Sequence, residues 1–341
     1  FGIGLSRPVE GIIKEVLENV NSESVLRVAL DMPSGVNADR GEILGTAFGA
    51  HVTITFGFAK LGQVLWPGSD YAGDVHVVSM GITEESFLEK APHYAFLEES
   101  DLMRLPLRCA HSNKGTYGKL LVIAGSKEMI GNAALCAKAA YRIGTGLVKI
   151  MAPEEYKSTL MTLVPEAILS SQDALCDEEK LRQELSWADA VVIGPGIGVT
   201  EKARDLVKYV LKECQVPLLM DADALNIMSG ELDLLYQNHT ELVMTPHIGE
   251  ISRLSGNPIR YIQENLIQVA EEFANSYDVV LALKDFHTIC ALPYGMTYVN
   301  LSGNHGMATA GSGDVLAGVI GGLMAQGMPW KEAATLGIYV H

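Results

Sequence analysis

Short apolar runs rich in β-branched residues alternate along the chain with longer helix-like segments. The early runs are residues 26–30, 51–56 and 74–80, and the later ones are residues 119–124, 147–151, 188–193, 217–220, 241–244 and 279–283. Runs of this kind predict β-strands, and residues 132–142 and 201–214 between them predict helices. The alternation predicts an α/β fold, in which right-handed βαβ units form a mainly parallel sheet with helices on both faces.

A polar and acidic stretch, residues 83–101, interrupts this pattern and contains Pro92. It has neither a strand period nor a helix period, so we place a domain boundary within it. The length of 341 residues agrees with two domains, since roughly 150 residues per domain is the usual expectation. We therefore predict a first domain over residues 1–98 and a second domain over residues 99–341.

Composition narrows the class of protein. Hydrophobic residues make up 48% of the chain and charged residues 19%, a balance that predicts large cores and a folded chain. The formal net charge of −16 argues against a nucleic-acid partner and against an anionic membrane surface, since both attract basic residues. The five cysteines are far apart and lack metal-ligand spacing, so we interpret them as reduced thiols in a cytoplasmic protein. The longest uncharged run, residues 315–330, is too short to span a bilayer and predicts a buried helix with its turn.

The strongest local signal is the sequence Ala310-Gly311-Ser312-Gly313-Asp314, which directly precedes an apolar helical run. Glycines let the backbone approach a ligand closely, and the free amides at a helix N-terminus attract anions. An aspartate in this position can act as a general base on a substrate hydroxyl, while the amides hold the charge of a transferred phosphoryl group. Taken alone, the motif fits an ordinary loop-to-helix junction equally well.

Other glycine-rich and polar motifs follow the predicted strands, at the sheet edge where parallel sheets bind ligands. In chain order they are residues 124–126, 131–134, 194–198, 221–226, 245–247 with Glu250, and 283–284. A single aspartate or histidine at a strand end is more often a turn former or a core group than a catalyst. An ordered series of this length is hard to obtain by chance, so the series favours a ligand site that includes Asp314.

With these motifs, residues 102–341 resemble the ADP-dependent NAD(P)H-hydrate dehydratases, which have a ribokinase-like fold. In that family a nucleotide phosphorylates the hydroxyl group at C6 of the hydrated nicotinamide ring, and loss of phosphate restores the reduced cofactor. Phosphate is a much better leaving group than hydroxide. The resemblance implies ADP-dependent dehydration of (6S)-NADHX or NADPHX with release of AMP and phosphate, assisted by Mg²⁺.

The resemblance also assigns roles to individual residues. Asp314 is the implied catalytic base and also contacts the hydrated cofactor. The other implied contacts of the hydrate are Ala133, Gly196 and His247. The implied ADP contacts are Gly313 and the residues of a phosphate loop, namely Lys284, Asp285, Phe286, His287 and Thr288.

The phosphate loop departs from the family pattern at its second position. The family usually has lysine followed by glycine, whereas here Asp285 follows Lys284. A carboxylate close to a diphosphate repels it unless a magnesium ion or Lys284 compensates. Protonated His287 is a further source of compensating charge, although an ordinary surface loop histidine fits the sequence equally well.

The first domain resembles the second half of the NAD(P)H-hydrate epimerases, through residues 1–7 and 30–35. This resemblance implies that part of a Rossmann-like α/β domain precedes the ribokinase-like domain. The resemblance implies that Ser34 is a potassium ligand. Further potassium ligands of that family would precede Phe1. Because Phe1 lies inside a loop motif and His341 ends a helical pattern, we expect that both ends are cut and that this chain alone lacks a competent epimerase site. The implied substrate contacts are Gly2, Ile3, Gly4, Leu5, Ser6, Arg7 and Asp31.

Two alternatives to cofactor repair remain at this point. A small-molecule kinase of the same fold, acting on a vitamin-precursor alcohol, shares the anion-binding turn and the base. A non-catalytic nucleotide-binding module, in which Asp285 has spoiled the phosphate site, is the other alternative. The epimerase-like half favours repair, because both activities serve the same damaged cofactor. The family resemblance further implies a homo-oligomer whose ligands are NADHX, NADPHX and ADP.

Overall fold

The computed structural model of the protein describes residues 1–82, 84–87, 92–171, 178–238 and 240–341. Its internal contacts divide the chain into two compact units, Phe1–Pro92 and His93–His341. Within the described residues, Cys109 is exposed and Cys136, Cys214 and Cys290 are buried free thiols. The prediction of a reduced thiol at Cys176 lies outside the described residues.

The first unit contains a parallel sheet in which the second strand lies between the other two. Its strands are β1 (Val28–Leu30), β2 (Val52–Phe56) and β3 (Asp74–Val78). Its helices are α1 (Gly11–Ser22), α2 (Leu61–Val64) and α3 (Gly68–Ala72). All three predicted strands of this unit are confirmed, each with slightly narrower bounds. A small core cluster of Met32, Val36, Ala38 and Ala47 lies in the segment that joins β1 to β2.

The second unit is built on one large sheet. Its strands are β4 (Tyr94–Ala95), β5 (Lys119–Ile123), β6 (Leu147–Ala152), β7 (Ile168–Ser171), β8 (Ala190–Ile193), β9 (Leu218–Met220), β10 (Leu242–Met244), β11 (Val280–Leu283), β12 (Ile289–Ala291) and β13 (Thr297–Val299). Over the described residues they are hydrogen-bonded in the order β4-β13-β12-β11-β10-β9-β8-β5-β6-β7. The sheet is parallel except where β12 pairs antiparallel with β11 and with β13.

Helices connect these strands and cover the sheet. They are α4 (Ile130–Ile143), α5 (Lys157–Leu163), α6 (Glu178–Trp187), α7 (Glu201–Glu213), α8 (Asp223–Met228), α9 (Ile248–Ser255), α10 (Ile259–Glu264), α11 (Leu266–Tyr277), α12 (Ser312–Ala325) and α13 (Trp330–Val340). The six strands predicted for this part of the chain are all present, because strands buried on both faces are continuous apolar runs. Four others, β4, β7, β12 and β13, were not predicted because they are short or carry polar residues.

Close packing of α4 against α12 explains the uncharged run at residues 315–330. A Cβ atom added at Gly318 would overlap the carbonyl oxygen of Cys136 and would lie 2.8 Å from the Cβ of Ala139. The two helices therefore meet through small side chains, and α12 is buried along almost its whole length. The prediction of a buried helix is confirmed. Among the described helices, none is both long enough and apolar enough to cross a membrane.

We predict that Gly318→Ala lowers the free energy of unfolding by about 1–3 kcal/mol, because the added methyl group must push α4 and α12 apart. Urea denaturation of the purified protein measures this change. Gly131→Ala is the matched control on α4, since a Cβ atom there would meet no other atom within 4 Å. Equal stability of the two variants would contradict the proposed close contact.

Candidate active site

A partly buried ion pair joins the carboxyl ends of two strands of the second unit, β9 and β11, which lie on either side of β10. Lys284, after β11, donates a hydrogen bond from Nζ to Oδ1 of Asp221, after β9, at 2.9 Å. Thr245, after the intervening strand β10, donates from Oγ1 to the same oxygen at 2.8 Å. Asp221 is only 2% exposed, so its charge depends on these two partners. The three strand ends are thereby held in one arrangement.

The N-terminus of α12 lies directly beside this ion pair. A Cβ atom added at Gly313 would lie 3.4 Å from Nζ of Lys284 and 3.7 Å from Oδ2 of Asp221. Gly311, which precedes the helix, has a φ of 90°, a left-handed conformation that glycine adopts readily. The predicted turn therefore exists, and it brings the free amides of a long helix next to a half-buried lysine.

Asp314 occupies the first turn of α12 and is 7% exposed. Its Oδ1 accepts a hydrogen bond from Nδ2 of Asn132 at 3.3 Å. Burial and the negative charge of Asp221 raise the pKa of Asp314 to about 6, while Lys284 and Asn132 act in the opposite direction. A carboxylate with a pKa in this range can take a proton from a substrate group near neutral pH.

The loop after β8 approaches the start of α4 on the other side of Asp314. Gly196 has a φ of 64°, and a Cβ atom there would lie 2.9 Å from the Cβ of Met129 and 3.1 Å from Cγ of Asn132. Ala133 follows Asn132 and is fully buried. The structure thus brings Gly196 close to the amide group that holds Asp314, and Ala133 is the next residue of α4.

His247 and Glu250 form a capping box at the start of α9. Nδ1 of His247 accepts hydrogen bonds from the backbone amides of Gly249 and Glu250 at 2.9 and 3.3 Å. Oε2 of Glu250 accepts from the backbone amide of His247 at 2.8 Å. The backbone amide of Lys284 donates to the carbonyl oxygen of Pro246 at 2.8 Å, so the cap adjoins the end of β11. Lys284 and His247, which the sequence predicted for one site, are therefore neighbours.

The ionisable groups around Lys284 change one another's pKa values. Burial disfavours its charge, but the carboxylates of Asp221, Glu250 and Asp314 outweigh that effect and raise the pKa of Lys284. Burial raises the pKa of Glu250 to about 7, although the positive charge of Lys284 opposes the shift. Burial and the charge of Lys284 lower the pKa of His247. At neutral pH the site therefore contains a cationic lysine and a neutral histidine.

The predicted phosphate loop continues from Lys284 towards β12. Phe286 is 64% exposed, and its ring centroid lies 4.5 Å from that of His287. Burial raises the pKa of Asp285 and lowers the pKa of His287. His287 is therefore neutral near pH 7 and supplies no positive charge to compensate the carboxylate of Asp285. Thr288 accepts a hydrogen bond on its carbonyl oxygen from the amide of Asn300 at 2.9 Å, which closes the loop at the β12–β13 hairpin.

The first unit holds a separate polar cluster around Asp31. Its Oδ1 lies 2.5 Å from Nζ of Lys60 and accepts from Oγ1 of Thr55 at 3.1 Å, while its carbonyl oxygen accepts from the side-chain amide of Gln63. Burial opposes the carboxylate, but the hydrogen bond and the charge of Lys60 outweigh burial and lower the pKa of Asp31. Ser34, which follows Asp31 closely in the sequence, is half-buried. Of the predicted loop contacts, Leu5 is half-buried and the rest are exposed, namely Gly2, Ile3, Gly4, Ser6 and Arg7.

Sequence reasoning did not assign roles to several of these side chains. Asp221 lay in a motif that follows a strand, and Asn132 lay in a motif that begins a helix. Nothing in the sequence indicated that Asp221 pairs with Lys284. Glu250 had a signal in its spacing from His247, which is that of a capping box. Lys60 had no local signal, because it meets Asp31 only through the fold.

The described residues contain no cluster of three or more His, Cys, Asp or Glu side chains that could hold a metal ion. This finding concerns protein ligands alone. Mg²⁺ commonly binds through one or two carboxylates together with substrate phosphates and water.

Solved structures of known proteins resemble the second unit. A ribokinase-like superfamily protein of Enterococcus faecalis has a TM-score of 0.67 and 27% identity, and the match covers 74% of this chain and 87% of that one. An ADP/ATP-dependent NAD(P)H-hydrate dehydratase of Bacillus subtilis, co-crystallized with ATP and Mg²⁺, has a TM-score of 0.63 and 31% identity, with coverage of 72% and 86%. The fold and the site therefore define a ribokinase-like α/β protein, which confirms the predicted fold class.

Sequence comparison is more specific. A family model described as NAD(P)H-hydrate dehydratase matches residues 120–341, and one described as YjeF-related protein N-terminus matches residues 1–62. A bifunctional NAD(P)H-hydrate repair enzyme Nnr of Moorella thermoacetica is 38% identical over 352 residues, across 100% of this chain and 66% of the relative. The chain belongs to the NAD(P)H-hydrate dehydratase family. It spans about two thirds of the length of the curated relatives that it matches.

We predict that Asp221→Asn lowers the pKa of Asp314 from about 6 towards its ordinary value. The substitution removes the negative charge that raises this pKa but keeps Lys284, which lowers it. Carbon-13 NMR titration of labelled aspartate carboxyl groups measures the shift. Asp205→Asn, at an exposed position of α7, is the control and should leave the titration of Asp314 unchanged. An unaltered pKa in Asp221→Asn would mean that burial alone sets the value.

Proposed function

We propose that the second unit repairs hydrated nicotinamide cofactors, by ADP-dependent dehydration of (6S)-NADHX and (6S)-NADPHX to NADH and NADPH. The observation that carries this proposal is the position of Asp314. This carboxylate is buried at a helix N-terminus, its pKa is raised to about 6, and the residue before it adjoins the ammonium group of Lys284. Membership of the dehydratase family supports repair over phosphorylation of a vitamin-precursor alcohol.

In the first step Asp314 accepts the proton of the C6 hydroxyl group as the oxygen attacks the β-phosphorus of ADP. The bond from that phosphorus to the bridging oxygen breaks, and AMP leaves. The amides at the start of α12 and the positive charge of Lys284 stabilise the negative charge that develops on the transferred phosphoryl group. Because Lys284 is fixed by Asp221, this stabilisation needs no rearrangement of the lysine.

In the second step the C6–O bond of the phosphorylated hydrate breaks and phosphate leaves with the bonding electrons. Loss of the C5 proton then restores the C5–C6 double bond of the reduced ring. Phosphate leaves far more easily than hydroxide would, which is the reason for using a nucleotide. The residues that we propose to border the hydrate during both steps are Ala133, Gly196, His247 and Asp314.

We propose that Lys284, Asp285, Phe286, His287, Thr288 and Gly313 bind ADP. The carboxylate of Asp285 fits a magnesium ion that also takes its ligands from the nucleotide phosphates and water, since oxygen is the ligand atom that Mg²⁺ prefers. Such an ion would supply positive charge at the phosphates. It would also account for an acidic residue in a phosphate loop.

We propose that the predicted first domain, residues 1–98, contributes part of an epimerase site. Asp31 would contact the hydrated cofactor together with the loop Gly2, Ile3, Gly4, Leu5, Ser6 and Arg7, and Ser34 would be a K⁺ ligand. The ion pair of Asp31 with Lys60 supports a functional carboxylate there, because it keeps Asp31 ionised. The match of residues 1–62 to the family model of this half supports the assignment.

We further propose that the protein is a cytoplasmic homo-oligomer that does not bind nucleic acid or membranes. The formal net charge of −16 supports the absence of nucleic-acid and membrane binding, because it disfavours contact with phosphate polymers and anionic lipid surfaces.

The function is tested by following the absorbance band of reduced nicotinamide. A preparation of (6S)-NADHX or (6S)-NADPHX incubated with ADP, Mg²⁺ and the protein should recover this band. ATP-dependent phosphorylation of hydroxymethylpyrimidine or thiazole alcohols without hydrate repair would instead indicate a kinase. ADP binding without turnover of any of these substrates would indicate a binding module.

We predict that Asp314→Asn lowers kcat for hydrate repair by about a thousandfold, within the usual range for loss of a general base. ADP affinity, measured by calorimetry, should change little, because the carboxylate acts on the substrate hydroxyl and not on the nucleotide. Asp205→Asn is the surface control. Normal turnover in Asp314→Asn would remove this residue from the mechanism.

We also predict that Asp285→Gly strengthens the binding of ADP measured without Mg²⁺ by on the order of tenfold, because it removes a carboxylate from the phosphate loop. Asp285→Asn distinguishes the effect of charge on ADP affinity from the effect of backbone flexibility, since it removes the charge and keeps a side chain of the same shape. Calorimetry gives both affinities. If only the glycine variant binds ADP more tightly, loop flexibility and not charge explains the effect.

A further inference from the structure

The two ring nitrogens of His247 have different partners. Nδ1 accepts hydrogen bonds from the backbone amides of Gly249 and Glu250, at 2.9 and 3.3 Å. A backbone amide can only donate, so Nδ1 must present its lone pair to both. The proton of the neutral ring therefore lies on Nε2.

The surroundings of His247 favour the neutral ring. Burial and the positive charges of Lys284 and Arg253 lower its pKa, and only Asp221 acts in the opposite direction among these neighbours. Arg253 is held nearby, because its Nε donates to Oδ1 of Asn226 at 3.0 Å. An imidazolium would in addition place a proton on Nδ1, facing two amide donors.

The buried side chain of Glu250 holds the backbone of His247 in the cap. It is 5% exposed, and its Oε2 accepts from the backbone amide of His247 at 2.8 Å. Its Oε1 lies 3.5 Å from Nε2, a longer separation than the hydrogen bonds of the cap. The side chain of His247 is 55% exposed. Its Nε2–H therefore remains available to a group outside the cap.

We propose that His247 serves the dehydratase site as a hydrogen-bond donor through Nε2. We further propose that Glu250 is a positioning residue, whose carboxylate accepts from the backbone amide of His247 and so holds the cap in which two backbone amides fix this tautomer. The substrate group that His247 takes is an acceptor oxygen, for which the carboxamide oxygen of the nicotinamide ring has the right chemistry. This inference rests on the proposed function. It assigns base catalysis at the C6 hydroxyl to Asp314 alone, since neither nitrogen of the neutral, capped ring is free to accept a proton.

Nitrogen-15 NMR of histidine-labelled protein tests the tautomer without any turnover. Near pH 7, His247 should show a protonated Nε2 and an unprotonated Nδ1, and addition of NADPH should shift the Nε2–H resonance. Glu250→Gln, which keeps an acceptor oxygen for the backbone amide of His247, should preserve the tautomer. Glu250→Ala removes that acceptor and loosens the cap, so it should give a mixture of tautomers. Glu264→Gln, on the exposed face of α10, is the control and should leave the spectrum of His247 unchanged. A proton on Nδ1 in the wild-type protein would overturn the proposal.

A pair of substitutions tests the donor role in the reaction. The amide nitrogen of glutamine can replace the Nε2–H donor, whereas asparagine can replace only the acceptor at Nδ1 and still caps α9. His247→Gln should retain kcat/KM within about tenfold of the wild-type value, and His247→Asn should lose on the order of a hundredfold, mainly through KM. Equal losses in the two variants would overturn the donor role. Absence of hydrate repair by the wild-type protein, with the expected tautomer and NADPH shift, would contradict the proposed function only.

Discussion

The ion pair of Lys284 and Asp221 is the constraint on which the active site depends. Asp221 is almost fully buried, and a buried carboxylate stays ionised only when it is paired and hydrogen-bonded. Lys284 and Thr245 both donate to one of its oxygens, so the ends of β9, β10 and β11 are tied together by a single atom. The N-terminus of α12 and any ligand bound there are therefore positioned relative to the fixed positive charge of Lys284.

The N-terminus of α12 completes the candidate site beside Lys284. Gly313 lies so close to Lys284 and Asp221 that a side chain there would contact both. The missing side chain lets the amides at the helix start and the ammonium group face the same region. Burial raises the pKa of Asp314, the negative charge of Asp221 raises it further, and Lys284 lowers it. The ion pair thus adjusts the pKa of the carboxylate that we propose as the base.

Much of this arrangement could be predicted from the sequence, for a physical reason. Parallel strands buried on both faces are apolar runs, so β5, β8, β9, β10 and β11 were visible, and their polar endings fall at one edge of the sheet. The strands that were missed lie at or near the sheet edges and have only two to four residues, so their apolar signal is weak. The glycine-rich turn before Asp314 was visible because only glycine permits its backbone.

Ion pairs between residues far apart in the chain could not be predicted from sequence patterns. The pair of Lys284 with Asp221 joins strands on either side of β10, and the pair of Asp31 with Lys60 joins residues before and after β2. Neither pair has a spacing that a pattern could reveal, since the fold alone brings the partners together. The effect of burial on His287 was likewise invisible in the sequence. Burial lowers the pKa of this histidine and so favours the neutral ring.

The protonation of the site also bears on how it can accept an anionic nucleotide. Lys284 is one cation surrounded by Asp221, Glu250 and Asp314, which together would leave an excess of negative charge if all were ionised. The pKa of about 7 at Glu250 means that this group is largely neutral below that pH, and burial is the cause. A negatively charged ligand nearby would raise this pKa further, because it disfavours another anion. The carboxyl that caps α9 therefore limits the repulsion that a diphosphate meets beside Lys284.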